Sequence, residues 1–183
     1  MGGSLIYEEI QDILQNVDYK IDALVETGTY KGDTTVMASK HFREVFTFEL
    51  NKTLFENSKK RFLEEKCFNI SSYFGDSVEL LQLCMPFLKE RNCIYFLDAH
   101  ISGHDSSYNP KYMVPLIQEI QTILSNIKEN NIFIIDDARF WINENKPHDW
   151  SHINLEKLLD MFKFFNIKIK KHYLKNDRYI IIV

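Results

Sequence analysis

Short apolar runs alternate along the chain with longer segments of helical spacing. Four of the runs are IDALVETG, VFTFEL, CIYFLDAH and NIFIIDDA, and a weaker run, NISSYFGD, lies between the second and the third. Strands that alternate with helices form right-handed crossover units, so the pattern predicts a mostly parallel sheet. Helices are predicted over TTVMASKHF, KTLFENSKKRFLEEK, SVELLQLCMPFLKE, MVPLIQEIQTILSNIKEN and NLEKLLDMFKFF.

Two further elements flank this alternation. Near the N-terminus, LIYEEIQDILQNV predicts a leading helix with Ile6, Ile10, Ile13 and Leu14 on one face. Near the C-terminus, IKIKKHYLKNDRYIIIV has two β-rich stretches around the turn-prone KND. This second pattern is typical of an antiparallel hairpin.

The size of the chain fits one domain. We predict a single domain over residues 1–183, with the leading helix at 1–20 and an α/β core at 21–183. Hydrophobic residues make up 45% of the chain and charged residues 26%, which is normal for a globular protein. The net charge of -4 argues against nucleic-acid binding, and no apolar run is long enough to predict a membrane span. Three cysteines without C-x-x-C spacing favour a reducing compartment, and we expect a cytoplasmic location.

Each of the five predicted parallel strands ends in an acid. In a parallel sheet the carboxyl ends of the strands share one edge, and ligands bind in the crevice outside that edge. A single acid at such a position is often only the N-cap of the next helix. Five strands in succession favour a ligand crevice over capping. The acids are Glu26, Glu49, Asp76, Asp98 and the pair Asp136 and Asp137.

The first strand is followed by the turn ETGTYKGDTT. Gly28 and Gly32 allow a tight turn and a close approach to a bound molecule. Asp33, Thr34 or Thr35 is expected to cap the next helix. The dinucleotide fingerprint G-x-G-x-x-G is absent, and an acid at the head of the turn suits a ligand with positive charge.

The acid at the end of the second strand indicates the type of ligand. Glu49 follows the first turn by about twenty residues, the position from which an acid accepts hydrogen bonds from both ribose hydroxyls. A nucleoside-containing ligand is therefore predicted. S-adenosylmethionine, with its ammonium and sulfonium groups, meets both requirements.

The segments VETGTYKGDTT, FTFEL and YFGDS, with the final hairpin, resemble the class I S-adenosylmethionine-dependent methyltransferases over nearly the whole chain. The resemblance implies a Rossmann-like, doubly wound α/β fold: a mostly parallel seven-stranded sheet with an antiparallel C-terminal hairpin and helices on both faces. It also implies that Glu26 and Gly28 hold the methionine part, Glu49 the ribose, and Asp76 with Ser77 the adenine. Further implied cofactor contacts are Thr29, Gly32, Thr34, Leu50 and Asp98.

LDAHISGHD and IIDDAR resemble more narrowly the metal-dependent O-methyltransferases, in particular the macrocin O-methyltransferase-like group. This similarity implies that Asp98, Asp136 and Asp137 bind one Mg²⁺. Three carboxylates from two neighbouring strand ends are hard oxygen ligands, which agrees with a hard cation. The alternative for the pair is that Asp136 caps a helix and that Asp137 is solvated.

The predicted activity is methyl transfer to a hydroxyl of a small molecule or a glycan, with Asp98 and His100 as the catalytic residues. Arg139 is expected to pair with a nearby carboxylate, and the loop ISGHDSSYNPKYM to close over the acceptor as a lid. Two alternatives remain: a catalytically silent module that binds S-adenosylmethionine or another nucleoside, and a metal-dependent hydrolase. Because the chain is short, a homo-oligomer partner could hold the acceptor.

Overall fold

The structure, a computed structural model, describes residues 4–100, 113–142 and 150–183. Within these ranges strands and helices alternate as the sequence predicts. The strands are β1 Ala23–Thr27, β2 Glu44–Glu49, β3 Ile70–Phe74, β4 Cys93–Leu97, β5 Ile132–Ile135, β6 Lys171–Lys175 and β7 Arg178–Ile182. The helices are α1 Tyr7–Leu14, α2 Asp33–Ser39, α3 Lys52–Glu64, α4 Ser77–Leu88, α5 Leu116–Leu124 and α6 Leu155–Phe164, with a 3-10 helix at Ala138–Phe140.

The seven strands form one sheet in the order β3-β2-β1-β4-β5-β7-β6. Strands β1 to β5 are parallel, and β7 runs antiparallel to both β5 and β6. The hairpin turns at Asn176 and Asp177, whose φ angles of 49° and 64° suit the tight turns that follow the twist of a hairpin. The predicted Rossmann-like α/β fold, with its antiparallel hairpin, is confirmed.

Helices cover both faces of the sheet. Val25, Tyr95 and Phe133 belong to the core on one face, which also includes residues of α4, α5 and α6. The opposite face packs against α1 and α2. Burial on both faces explains why the strands read as continuous apolar runs rather than as alternating ones.

The starts of two helices differ from the prediction. In α1, Ile10 and Ile13 are buried as expected, but Ile6 is 50% exposed and Leu5 lies in the core instead. Helix α2 has Gly32 as its N-cap, without a side-chain cap, so the predicted capping role of Asp33, Thr34 or Thr35 is wrong. No described helix is long and apolar enough to cross a bilayer.

Candidate functional site

The acids of the five parallel strands lie at the carboxyl edge of the sheet, as the sequence predicts. The register places Glu26 of β1 level with Thr47 of β2 and with Phe96 of β4. The acids nevertheless have different partners. Those of β1, β2 and β3 accept hydrogen bonds from nearby hydroxyls and backbone amides, whereas those after β4 and β5 lie close to His100, Arg139 and Arg178.

Glu26 lies beneath the turn that follows β1. It is 2% exposed, and its Oε2 accepts hydrogen bonds from the hydroxyls of Thr35 at 2.5 Å and Thr47 at 2.7 Å. Burial raises the pKa of Glu26 to about 7, and the hydroxyl hydrogen bonds oppose this shift. Its hydrogen bonds therefore connect β1, β2 and α2.

The turn itself approaches other parts of the protein. Gly28 has a φ of +83°, and a Cβ there would lie 2.7 Å from the carbonyl oxygen of Asp98. A Cβ on Gly32 would lie 2.6 Å from the ring of Phe62 in α3. Glycine is thus required at both positions by contacts within the protein.

Two threonines of the predicted cofactor set also make internal hydrogen bonds. Thr29 Oγ1 lies 2.6 Å from Thr47 Oγ1. Thr34 Oγ1 accepts a hydrogen bond from the backbone amide of Leu5 at 3.1 Å. Thr34 therefore connects α2 to the segment before α1.

Glu49, at the end of β2, is held by backbone amides. Its Oε2 accepts from Tyr30 N at 2.7 Å and its Oε1 from Asn51 N at 2.8 Å. Burial raises the pKa of Glu49, and hydrogen bonds from the amides of Asn51, Tyr30 and Leu50 oppose the shift. Each carboxylate oxygen can accept more than one hydrogen bond, so the side chain can also accept from two ligand hydroxyls.

Asp76 and Ser77 begin α4. Asp76 Oδ1 accepts from the amides of Val78 at 3.0 Å and Glu79 at 3.2 Å, so Asp76 is the N-cap of the helix. The Ser77 hydroxyl donates to Glu119 Oε1 at 2.5 Å. Both predicted adenine residues lie at the expected edge, each with a protein partner.

The carboxylates after β4 and β5 surround His100. His100 Nδ1 lies 3.4 Å from Asp98 Oδ1, and His100 Nε2 contacts Asp137 Oδ2. Ligand atoms of Asp98, His100 and Asp137 all lie within 4.8 Å of one another. Desolvation, with the charges of Asp136 and Asp137, raises the pKa of Asp98 well above its ordinary value. A cation bound near these carboxylates would reduce the electrostatic repulsion between them.

Asp136 has a different neighbour from the one the sequence predicts. It is 4% exposed, and its Oδ1 lies 3.3 Å from Nε of the buried Arg178. Arg178 Nη1 in turn lies 2.5 Å from Glu9 of α1. Among the residues that the structure describes, the group that could hold a metal therefore contains His100, whereas Asp136 pairs with an arginine.

Asp137 is also 4% exposed, so it is not the solvated residue of the alternative interpretation. Burial acts to raise its pKa, but the hydrogen bond and charge of His100, followed by Arg139, outweigh burial and lower it. Arg139 Nη1 lies 2.6 Å from Asp137 Oδ1 and also contacts Asp177. The expectation that Arg139 pairs with a carboxylate is confirmed.

Sequence reasoning missed Arg178, although the hairpin contained a signal. The antiparallel register pairs Ile135 of β5 with Tyr179 of β7. One step further along the same register, Asp136 is opposite Arg178. Counting back from a predicted hairpin turn would have identified this ion pair.

A small cavity lies beside the cluster. Its ≈ 10 Å³ has room for about one water molecule. Its lining includes His100, Glu119, Asp136 and Trp150. Most of the predicted lid, residues 101–112, lies outside the described residues.

Comparison with known proteins agrees with the fold. No family model and no curated sequence matches the chain. The solved structure of the O-methyltransferase TomG from Streptomyces achromogenes, in complex with S-adenosylmethionine, matches at 11% identity with a TM-score of 0.60, over 87% of this chain and 71% of TomG.

Two further solved structures match 99% of this chain. A protein assigned as a caffeoyl-CoA O-methyltransferase from Staphylococcus aureus matches at 14% identity with a TM-score of 0.65, over 83% of its length. A protein assigned as an O-methyltransferase from Klebsiella pneumoniae matches at 10% identity with a TM-score of 0.65, over 81% of its length. The chain therefore has the fold of the class I S-adenosylmethionine-dependent methyltransferases.

Proposed function

We propose that the protein is an S-adenosylmethionine-dependent O-methyltransferase that acts on a hydroxyl of a small molecule or a sugar. The observation that carries the proposal is the row of carboxylates at the parallel edge of a sheet with the methyltransferase strand order. In such sheets the crevice outside this edge binds the ligand. A cytoplasmic location and a homo-oligomer stay predictions.

The nucleoside half of the site is formed by β1, β2 and the start of α4. Glu49 accepts hydrogen bonds from the ribose hydroxyls, and its two backbone amide contacts hold it in place for this. Glu26 acts from beneath the turn, where the cationic methionine end of the ligand favours its ionised form and is attracted to it. When bound, S-adenosylmethionine supplies an electrophilic methyl group on a sulfonium.

The acceptor half of the site is formed by the ends of β4 and β5. Asp98, His100 and Asp137 offer two carboxylates and an imidazole with ligand atoms within 4.8 Å of one another, a set that would hold a divalent cation. The Mg²⁺ predicted for Asp98, Asp136 and Asp137 stays a prediction, because an imidazole suits zinc or iron better than magnesium. Such a cation, when bound, makes an acceptor hydroxyl easier to deprotonate. Asp136 supports the site through its pair with Arg178.

His100 has a second candidate role. Contact of its Nε2 with Asp137 orients the ring, and Nδ1, which lies 3.4 Å from Asp98 Oδ1, is then the atom that would accept the proton of an acceptor hydroxyl bound beside Asp98. Dependence on a cation separates the two roles. As a metal ligand His100 acts only with the ion present, whereas as a general base it acts without it.

A methyl-transfer assay tests the proposal. Radiolabelled S-adenosylmethionine is incubated with catechols and glycosides, with and without EDTA. We expect transfer to one acceptor class, loss of transfer in Asp98→Asn and His100→Asn, and no change in Asp160→Asn, an exposed acid of α6. Transfer that survives EDTA would assign His100 as the base and rule out the cation.

The two alternatives give other results. A silent module binds S-adenosylhomocysteine but transfers no methyl group to any acceptor. A metal-dependent hydrolase binds neither S-adenosylmethionine nor its demethylated product. Either result would contradict the proposed function.

A further inference from the structure

Helix α5 carries an acid on its buried face. Glu119 is 1% exposed and lies among the buried residues Leu116, Ile120 and Ile123 of the same helix. An acid in such surroundings is costly unless its oxygens are hydrogen-bonded. The partners of Glu119 therefore indicate what the residue does.

Both partners belong to the nucleoside half of the site. The Ser77 hydroxyl, at the start of α4, donates to Glu119 Oε1 at 2.5 Å. The hydroxyl of Thr27, the last residue of β1, also hydrogen-bonds to the Glu119 side chain. Thr27 Oγ1 in turn accepts from the backbone amide of Asp98 at 3.2 Å. One carboxylate thus connects the ends of β1 and β4 with the start of α4.

These contacts determine which hydroxyls donate. A hydroxyl has one proton to donate and two lone pairs that accept. Thr27 accepts from the Asp98 amide, so its own proton is directed at Glu119. The Ser77 proton is also given to Glu119. The Ser77 oxygen is then left with lone pairs only and can serve a ligand solely as an acceptor.

We propose that Glu119 is a positioning and specificity residue of the nucleoside site, which makes Ser77 a hydrogen-bond acceptor and holds the Asp98 backbone through Thr27. The inference rests on the proposed function, which puts a purine beside the start of α4. An acceptor there can accept a hydrogen bond from the amino group of an aminopurine. It cannot bond to the keto oxygen of an oxopurine, which is itself an acceptor. Glu119 would thus select the adenine form of the ligand.

Binding of two ligands that differ on this edge of the purine, in the 6-substituent and in the proton on the adjacent N1, tests the proposal. Calorimetry compares S-adenosylhomocysteine with S-inosylhomocysteine at about pH 8, where a carboxyl with a pKa of about 7 is ionised. We expect the wild type to prefer the adenosine form by about tenfold or more. In Glu119→Leu the Ser77 proton becomes available to a keto oxygen, and the preference should fall to about threefold or less.

Two variants separate this role from a merely structural one. Glu119→Gln keeps an oxygen that accepts from Ser77, so it should keep the preference. Ser77→Ala leaves α5 intact and should lose the preference even if Glu119→Leu does not fold. Glu79→Gln, which removes an exposed acid from α4, is the matched control and should bind like the wild type. A merely structural role would reduce the affinities for both ligands equally. An unchanged ratio of the two affinities in Glu119→Leu and Ser77→Ala would overturn the proposal.

Failure of the proposed function gives a different result. If the wild type binds neither ligand, the nucleoside assignment and the specificity role fail together. Amide hydrogen exchange at Asp98, whose N–H is shared between the hydroxyl and the carbonyl oxygen of Thr27, then tests the bracing directly: Glu119→Leu is expected to speed it by about threefold, because the Thr27 hydroxyl loses its anchor while the carbonyl bond remains. Unchanged exchange would overturn the bracing as well.

Discussion

Asp136 and Asp137 are adjacent in the sequence but pair with different cations. Asp136 lies beside Arg178 of β7, whereas Asp137 lies beside His100 and Arg139. Arginines of the protein therefore compensate much of the repulsion between the two carboxylates. Asp98 lies beside the His100 ring, and burial with the charges of Asp136 and Asp137 raises its pKa in spite of Arg178, so Asp98 is the acid at which a further cation is most needed.

The first prediction concerns Arg178. Arg178→Met removes the partner of the buried Asp136 and of Glu9, and breaking a buried ion pair costs about 3 to 5 kcal/mol of unfolding free energy. Urea denaturation measures the loss. Lys128→Met is the control, because its pair with Glu90 is exposed and should cost less than about 1 kcal/mol. Equal losses in the two variants would contradict the buried pair.

The second prediction concerns Glu119 and pH. Burial raises its pKa from 4.5 to about 7, so the folded state binds the proton more tightly than the unfolded chain does. This contribution to stability is fully present below pH 4.5 and is lost as the pH rises through about 7. The side chain of Glu119→Gln does not titrate. The free energy of unfolding of this variant should therefore rise by about 3 kcal/mol relative to that of the wild type between pH 4.5 and about 7.

Denaturation of both proteins across this pH range provides the measurement. Glu26 titrates in both, so the difference between the curves reports Glu119 alone. A difference that stays constant with pH would show that Glu119 has an ordinary pKa in the folded protein.

Residue-level prediction succeeded where the chain alone sets the position. Acids at strand ends follow from the apolar runs, and the structure places all of them at one edge. The partners of Asp136 and Ser77 could not be read from the local pattern. Arg178 and Glu119 come from elements distant in sequence, and their contacts depend on register and helix packing.

At the scale of elements, the ends of β1 and β4 are in close contact. Gly28 has a left-handed backbone, and a Cβ there would lie 2.7 Å from the Asp98 carbonyl oxygen. The turn after β1 can therefore approach β4 only because this residue has no side chain. The same contact brings the nucleoside half and the acceptor half of the site together.

The third prediction follows from this contact. Gly28→Ala should cost about 1 to 3 kcal/mol of unfolding free energy through backbone strain. It should also reduce the affinity for S-adenosylhomocysteine by more than about tenfold, because the turn is pushed away from Asp98. Gly32→Ala is the matched variant in the same turn. Its Cβ meets the Phe62 side chain rather than the Asp98 backbone, so it should lose stability but reduce the affinity for S-adenosylhomocysteine less than Gly28→Ala does. Equal affinity losses would contradict a special role for Gly28.

Element-level prediction was sound for strands and weaker for helix starts. The strands and the hairpin follow from apolar runs and turn residues. At α2, Asp33 pairs with Arg61 and Thr35 donates to Glu26, so tertiary contacts occupy the expected caps. At α1, Leu5 rather than Ile6 enters the core, because the segment before the helix is extended.

At the scale of the whole molecule, one edge of the sheet carries the two neighbouring halves of the proposed site. The ends of β1 and β2 and the start of α4 present carboxylates held by hydroxyls and amides, which suit a nucleoside. The ends of β4 and β5 present Asp98, His100 and Asp137, which suit a cation and a hydroxyl acceptor. Glu119, packed below, is bonded to Ser77 and Thr27 of the first half.

Calorimetric titration of S-adenosylhomocysteine into the wild type and Glu49→Gln tests the central claim most directly. The account predicts one site per chain with a Kd in the micromolar range, weakened about tenfold or more in Glu49→Gln, since an amide has one acceptor oxygen for the two backbone amides and the two ribose hydroxyls. Glu56→Gln, an exposed acid of α3, should bind like the wild type. No binding to the wild type, or equal binding to the wild type and Glu49→Gln, would contradict the account.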